Sequence, residues 1–270
     1  MFALLAVNAF FVALTAIVLV VTVNREVRSY TIAVGAALLY LLNFAVPNLR
    51  LVGMIDAGEA CFLMLVVWML AERRYWLLPL WASLGALAKE SFVPFLIVVG
   101  AAWWLCSRTR VVGHRSAAAA PIAARRAFLW ISASWLTALA SIIAVQWKVT
   151  GTYQSPIRFG LGLHGNSAYF SHFVASLGDR NLWYIFFWLL PLSLFRLRQF
   201  SIEWRVSTAA ACITAFALDA YYGGPPGAIG RALFTVAGPL LSASVAALLF
   251  TGVGIAPHQD ADESASLTQI

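Results

Sequence analysis

Apolar residues run through the chain in long, nearly uncharged stretches, separated by short polar or basic connections. Nine stretches reach or approach the roughly 20 residues that an α-helix needs to cross the hydrocarbon core of a membrane. Backbone groups in lipid must be hydrogen-bonded within a helix or a closed barrel, and runs this evenly apolar exclude the barrel. The predicted helices cover approximately 1–23, 30–46, 54–71, 75–88, 91–106, 127–147, 182–195, 206–222 and 229–253.

The composition strengthens this prediction of an all-α, polytopic transmembrane bundle. Hydrophobic residues make up 62% of the 270 and charged residues 11%, with a mean hydropathy of +0.84. Soluble domains carry about a quarter charged residues. The stretch 1–23 lacks a basic leader and a small-residue cleavage site, so it predicts a spanning helix and not a signal peptide. The three cysteines show neither a metal-ligand nor a disulfide spacing.

The basic residues are spread unevenly among the connections and predict an orientation. Odd-numbered connections hold twelve arginines and lysines, and even-numbered connections hold six. Because basic residues are enriched in cytoplasmic connections, we expect the odd connections inside and the N-terminus outside. The net charge of +7 is therefore interpreted as topology, and a nucleic-acid partner is not expected.

This orientation divides the chain into a transmembrane helical domain, residues 1–254, and a polar cytoplasmic tail, residues 255–270, which we expect to be disordered. The outer connection 148–181 is longer than most unstructured loops. Apolar residues at helical spacing in 167–177 predict an interfacial helix within it. The outer connections hold most of the unusual polar residues, so we expect any chemistry on the outer face.

A lysine and a glutamate, Lys89 and Glu90, stand side by side between the apolar runs 76–88 and 92–105. Charges at the end of a membrane helix are costly unless they meet water, a partner or a ligand, so the pair is a candidate site. The alternative is a lysine that extends its ammonium to the membrane surface, beside an acid that marks a short turn.

Asp56 and Glu59 lie three residues apart where the third predicted helix begins, which places both carboxylates on one helix face. Two acids on one face suit a general base, a divalent cation or a hydroxyl-rich ligand. The alternative is that they cap and solvate the helix start, where the helix dipole favours acidic side chains. The spacing leaves both interpretations open.

A glycine- and proline-rich loop, 223–227, leads to Arg231 at the start of the ninth predicted helix. A guanidinium beside a helix start and a glycine-rich turn is suited to clamping a phosphate. The alternative is an ordinary interfacial arginine. Arg180, in the long outer connection, is a supporting candidate.

Two segments resemble the GT-C superfamily, membrane glycosyltransferases that use polyprenyl-phosphate-linked sugars. The first segment spans roughly 51–99 and the second about twenty residues near the end. The first contains Gly53, Asp56 and Glu59 ahead of a helix, a basic turn at Arg73-Arg74, and then Leu84-Gly85-Ala86-Leu87-Ala88-Lys89-Glu90 with a following proline. The second contains Gly230-Arg231-Ala232-Leu233-Phe234 followed by Pro239, which is similar to the family's late arginine-then-proline segment.

The resemblance implies transfer of a sugar from a polyprenyl-phosphate donor on the outer face of a bacterial cytoplasmic membrane. It implies that Lys89 and Arg231 hold the carrier phosphate. Asp56, with Glu59 beside it, would be the catalytic carboxylate that assists the acceptor or binds a divalent cation, the one candidate cofactor. Glu90 and Arg180 would support them. The expected partners are the lipid-linked sugar and membrane lipid.

The chain departs from the family at its beginning, because no large outer loop with an acidic pair follows the first predicted helix. The departure predicts either a chain without its natural N-terminus or a shortened relative that needs a partner subunit. Two other functions stay open. One is a lipid-carrier-binding protein of the transporter or flippase type, for which internal repeats would be the sign. The other is a non-catalytic membrane subunit.

Overall fold

The computed structural model describes residues 2–43, 56–113, 120–151, 171, 174–175, 177–178, 189–222, 233 and 237–252. All regular structure in these residues is helical, which confirms the all-α prediction for this part of the chain. The nine α-helices found there are α1 Phe2–Val27, α2 Tyr30–Leu42, α3 Asp56–Ala71, α4 Leu78–Ala88, α5 Phe92–Gly113, α6 Ala120–Thr150, α7 Leu189–Ser193, α8 Ile202–Tyr222 and α9 Gly238–Gly252. Short 3₁₀ turns precede α4 at Tyr75–Leu77 and follow α7 at Leu194–Gln199.

The helices follow the predicted apolar stretches in order, but several extend further than the apolar pattern does, and α5 and α6 extend furthest. α5 continues to Gly113 and α6 begins at Ala120, whereas the apolar stretches end at about 106 and resume at about 127. The added residues include arginines and alanines, which are good helix formers, so the backbone stays helical beyond the predicted stretches. The apolar pattern marks where a helix has apolar surroundings and not where the helix ends.

The third helix, α3, lies at the centre of the packing. Fourteen of its sixteen residues are buried, and it packs against α1, α4 and α5. In contrast, α1 and α6 present large apolar side chains outward, among them Phe10 at 63% and Leu136 at 67% exposure. A large apolar outer surface is expected where the surroundings of a helix are themselves apolar, as in a bilayer.

Within the part of the chain that the structure describes, two helices are long and apolar enough to cross a membrane by length and composition, Ala3–Val27 and Ala124–Thr150. Shorter apolar helices, which fall below that length, are Tyr30–Leu42, Tyr75–Ala88, Phe92–Arg108 and Gly238–Thr251. By length and composition the helices therefore support the predicted association with a membrane.

Contacts between helix ends gather most of the described arginines at one end of the bundle, called here the arginine end. Arg25 pairs with Glu72 and so joins the last turn of α1 to the residue after α3. The Ser201 N–H, just before α8, donates to Glu26 Oε2 over 3.2 Å. The later half of α5 lies near the starts of α8 and α6, because Cys106 is close to Glu203 and Arg205 and the Trp104 indole N–H donates to Ala124 O over 3.3 Å. The described arginines that these contacts bring together are Arg25, Arg28, Arg73, Arg74, Arg108, Arg125, Arg126, Arg196, Arg198 and Arg205.

The predicted interfacial helix at 167–177 falls largely outside the described residues. Inside it, Ser171, Val174, Ala175 and Leu177 are helical, and the Gly178 N–H donates to Val174 O over 3.2 Å. The remainder of the 148–181 connection beyond residue 151, and the tail at 255–270, also lie outside the described residues.

Candidate functional site

Three helices meet where the predicted site residues lie. Asp56 and Glu59 occupy the first turn of α3. Lys89 ends α4, where its N–H donates to Gly85 O over 3.0 Å and its backbone turns extended, with φ −164° and ψ 132°. Ser91 directly precedes α5. The turn between α4 and α5 therefore lies against the start of α3.

The Lys89 ammonium bridges the two carboxylates of α3. Its Nζ lies 2.8 Å from Asp56 Oδ1 and 2.9 Å from Glu59 Oε2. The Ser91 hydroxyl donates to the other Glu59 oxygen, Oε1, over 2.8 Å. These four side chains form the acid–lysine cluster. The expectation that Asp56 and Glu59 share one helix face holds, because both reach the same ammonium.

The cluster is buried unevenly. The side chains of Asp56 and Glu59 are 0% and 1% exposed, while that of Lys89 is 24% exposed. Both oxygens of Glu59 are engaged, one by Lys89 and one by Ser91. Such saturation fixes the orientation of Glu59 and suits it to hold the cluster together. A lysine ammonium has three N–H donors, and the two carboxylates use two of those directions.

Close packing between α3 and the α4–α5 turn aims Lys89 at the carboxylates. Gly58 lies between the two acids, and a Cβ there would come within 3.2 Å of the Ala88 Cβ. A Cβ on Gly85 would come within 2.5 Å of the Phe92 ring. Both glycines therefore allow an approach that larger residues would push apart.

The electrostatics of the cluster favour a charged lysine. Burial lowers the pKa of Lys89, but the carboxylates of Glu59 and Asp56 outweigh burial and hold that pKa above its ordinary value. The ammonium therefore remains protonated at neutral pH.

The structure brings three of the six predicted site residues together, namely Asp56, Glu59 and Lys89. Glu90, which was expected to support the site, is exposed, and the bridging partners of Lys89 come from α3. Arg180 and Arg231 lie outside the described residues, so their convergence on Lys89 stays a prediction.

Sequence reasoning missed Ser91 as a member of the site. The sequence carried no signal for it, because Glu90 and Ser91 lie in a turn whose shape the sequence does not give. In that turn the Phe92 N–H donates to Lys89 O over 3.1 Å, and the Ser91 hydroxyl reaches Glu59.

The donor set of the cluster does not fit the divalent cation considered from sequence. Among the described residues, no group of three or more His, Cys, Asp and Glu side chains is placed to hold a metal ion. The Lys89 ammonium lies between the two carboxylates, where a shared cation would lie. The charge that a metal would supply here comes from the lysine.

Comparison with models of protein families, with curated proteins and with solved structures found no match for this chain. The site is therefore interpreted from its own geometry and chemistry.

Proposed function

We propose that the chain is an integral membrane glycosyltransferase that takes a sugar from a polyprenyl-phosphate donor, with the acid–lysine cluster as part of its active site. The observation that carries the proposal is the convergence of Asp56, Glu59 and Lys89 in one buried cluster. Buried ionisable groups at the end of an apolar helix are costly and are retained mainly where they act on a ligand or proton. The resemblance of 51–99 to GT-C enzymes supplies the reaction class.

The proposed orientation places the arginine end in the cytoplasm and the cluster at the outer face of a bacterial cytoplasmic membrane. Two observations support it. Arg25 and Arg73 belong to odd-numbered connections, and the Arg25–Glu72 pair joins those connections in space. Lys89 ends α4 at the opposite side from that contact, level with the start of α3. Arginines at one end and the cluster at the other agree with the excess of basic residues on the cytoplasmic side of membrane proteins.

In the proposed reaction Asp56 acts as the general base. An acceptor hydroxyl attacks the anomeric carbon of the sugar, the bond from that carbon to the phosphate oxygen breaks, and Asp56 takes the hydroxyl proton. Polyprenyl phosphate leaves with the bonding electron pair. The resemblance of 51–99 to GT-C enzymes assigns this role to Asp56, while Glu59 holds the cluster together through Lys89 and Ser91. General-base assistance of this kind is worth about 10²–10⁴-fold in rate.

Lys89 has a double role in this proposal. Two of its donor directions fix the carboxylates, and the third is available to a phosphate oxygen on the side where the lysine is 24% exposed. The two carboxylates beside the ammonium disfavour a phosphate, so we propose a further cation beside the cluster. Arg231 is the candidate for that cation, because a guanidinium can hold two phosphate oxygens at once.

A second candidate function is a non-catalytic membrane subunit or a binding protein for a lipid carrier. The same bridge favours it, because a lysine that satisfies two buried carboxylates also clamps α3 to the α4–α5 turn. In that case the cluster is structural and no proton is transferred.

The test uses purified full-length chain in proteoliposomes with radiolabelled polyprenyl-phosphate sugars and a panel of hydroxyl acceptors. The readout is the release of polyprenyl phosphate. Asp56→Asn keeps the shape of the side chain and removes the base, so turnover should fall by about 10²-fold or more. Glu90→Gln removes a neighbouring exposed acid and should leave turnover unchanged.

Two outcomes oppose the proposal. A folded Asp56→Asn protein with wild-type turnover excludes Asp56 as the base. Wild-type protein that binds labelled donor but releases no polyprenyl phosphate with any acceptor supports the binding protein instead.

A further inference from the structure

Two helices of the bundle end on an arginine in the left-handed backbone region. Arg28 follows α1 with φ 52°, and Arg73 lies just beyond α3 with φ 56°. The Arg28 N–H donates to Asn24 O over 2.8 Å, and the Arg74 N–H reaches back to Met69 O over 3.0 Å. These are helix-ending hydrogen bonds of the kind in which the left-handed position is usually a glycine.

An arginine at such a position is unfavourable compared with glycine, because its Cβ crowds the following carbonyl oxygen. Left-handed residues other than glycine, asparagine and aspartate are uncommon and concentrate where a side chain has a task. Here the same exception occurs at the ends of two helices. It places an arginine side chain at each of them.

The two arginines lie at the same end of the bundle. The Arg25–Glu72 ion pair holds the end of α1 to the residue before Arg73. Arg28, Arg73 and the adjacent Arg74 are all exposed, and this ion pair balances only Arg25. The local surface therefore keeps an excess of positive charge.

Exposed aromatic side chains accompany these arginines. Trp76 is 63% exposed, two residues after Arg74, and Phe195 is 76% exposed in the turn that carries Arg196 and Arg198. Aromatic rings beside arginines are typical of the boundary between lipid tails and headgroups. The rings suit the apolar side of that boundary, and the guanidiniums suit its phosphates.

From these observations we infer that the arginine end binds anionic phospholipid headgroups through Arg28 and Arg73. The inference goes beyond sugar transfer and does not depend on it. The occupant is a membrane lipid because the positive surface is flanked by exposed aromatic side chains and belongs to a bundle with an apolar exterior. Basic side chains near an anionic membrane surface each strengthen binding, by about 1 kcal/mol or about fivefold.

The test replaces both arginines by the residue that their backbone favours. Purified wild-type chain and the Arg28→Gly/Arg73→Gly variant, in a neutral detergent, are titrated with dioctanoyl phosphatidylglycerol or dioctanoyl phosphatidylcholine. Binding is followed by thermophoresis and folding by thermal unfolding. Wild type should prefer the anionic lipid, and the variant should lose about 30-fold in affinity for it. The lipid-free melting temperature should stay equal or rise, because glycine relieves the strained backbone.

Matched variants separate charge from backbone. Arg28→Asn/Arg73→Asn, which also tolerates the left-handed region, should behave like the glycine variant. Lys148→Gln, which removes a positive charge at the far end of α6, should keep wild-type affinity.

Three results would overturn the inference. One is equal wild-type affinity for the two lipids, and another is a glycine variant that keeps its preference for the anionic lipid. The third is displacement of the anionic lipid by inorganic phosphate at equal concentration, which would assign the surface to a soluble anion.

Discussion

Removing the Lys89 side chain should destabilise the fold strongly, and the acid–lysine cluster gives the size of the effect. Each carboxylate lies 2.8–2.9 Å from the ammonium, where unit charges attract by about 6 kcal/mol at an effective dielectric constant of about 20. Lost hydration offsets much of that attraction. Lys89→Ala nevertheless leaves two carboxylates, 0% and 1% exposed, without their cation. Truncating one partner of a buried ion pair costs about 3–5 kcal/mol.

The assay is thermal unfolding in a non-ionic detergent. For a chain of this size about 1 kcal/mol corresponds to about 2–4 °C, so Lys89→Ala should lower the melting temperature by about 6–20 °C. A triple variant, Lys89→Met with Asp56→Asn and Glu59→Gln, removes all three charges and should recover much of the loss, because no uncompensated charge remains. Glu90→Gln is the matched control, and it should change stability by less than about 0.5 kcal/mol.

A Lys89→Ala protein that melts within about 2 °C of wild type, or a triple variant no more stable than Lys89→Ala, would show that Lys89 does not compensate the two carboxylates. The expected loss also affects the functional test. Since Lys89→Ala perturbs folding and ligand binding together, lost activity in that variant does not identify a phosphate contact. Asp56→Asn is the sharper test, because Glu59 still pairs with the ammonium.

Two further predictions concern packing and orientation. Gly85→Ala should destabilise the folded protein by about 1–3 kcal/mol, since the new Cβ would lie 2.5 Å from the Phe92 ring. Adding Phe92→Leu should recover part of that loss, as measured by thermal unfolding. A Gly85→Ala protein of unchanged stability would contradict the close packing. In a background without native cysteines, Glu90→Cys should react with a membrane-impermeant thiol reagent in intact cells. Arg126→Cys should react only after the cells are permeabilised. The reverse pattern would invert the proposed topology.

The sequence alone determined the helical class and the order of the helices. Where lipid surrounds a long apolar stretch, the backbone has no alternative to internal hydrogen bonds, so the order of such helices can be predicted without tertiary contacts. The spacing of Asp56 and Glu59 likewise fixed their common face, because three residues nearly complete a helical turn. Ends were harder to predict, since α5 and α6 continue through arginines and alanines that the apolar pattern leaves out.

Only the tertiary structure decided which charges meet. Lys89 stands next to Glu90 in sequence, yet its ammonium pairs with two carboxylates of α3 while Glu90 is exposed. Its carboxylate partners lie about thirty residues earlier, and Gly58 and Gly85 allow that approach because they leave room for Ala88 and Phe92. The same holds for the arginines after α1 and α3, which share one surface because Arg25 and Glu72 pair across 47 positions. Such pairings depend on how helices pack, and local spacing carries no information about partners that distant in sequence.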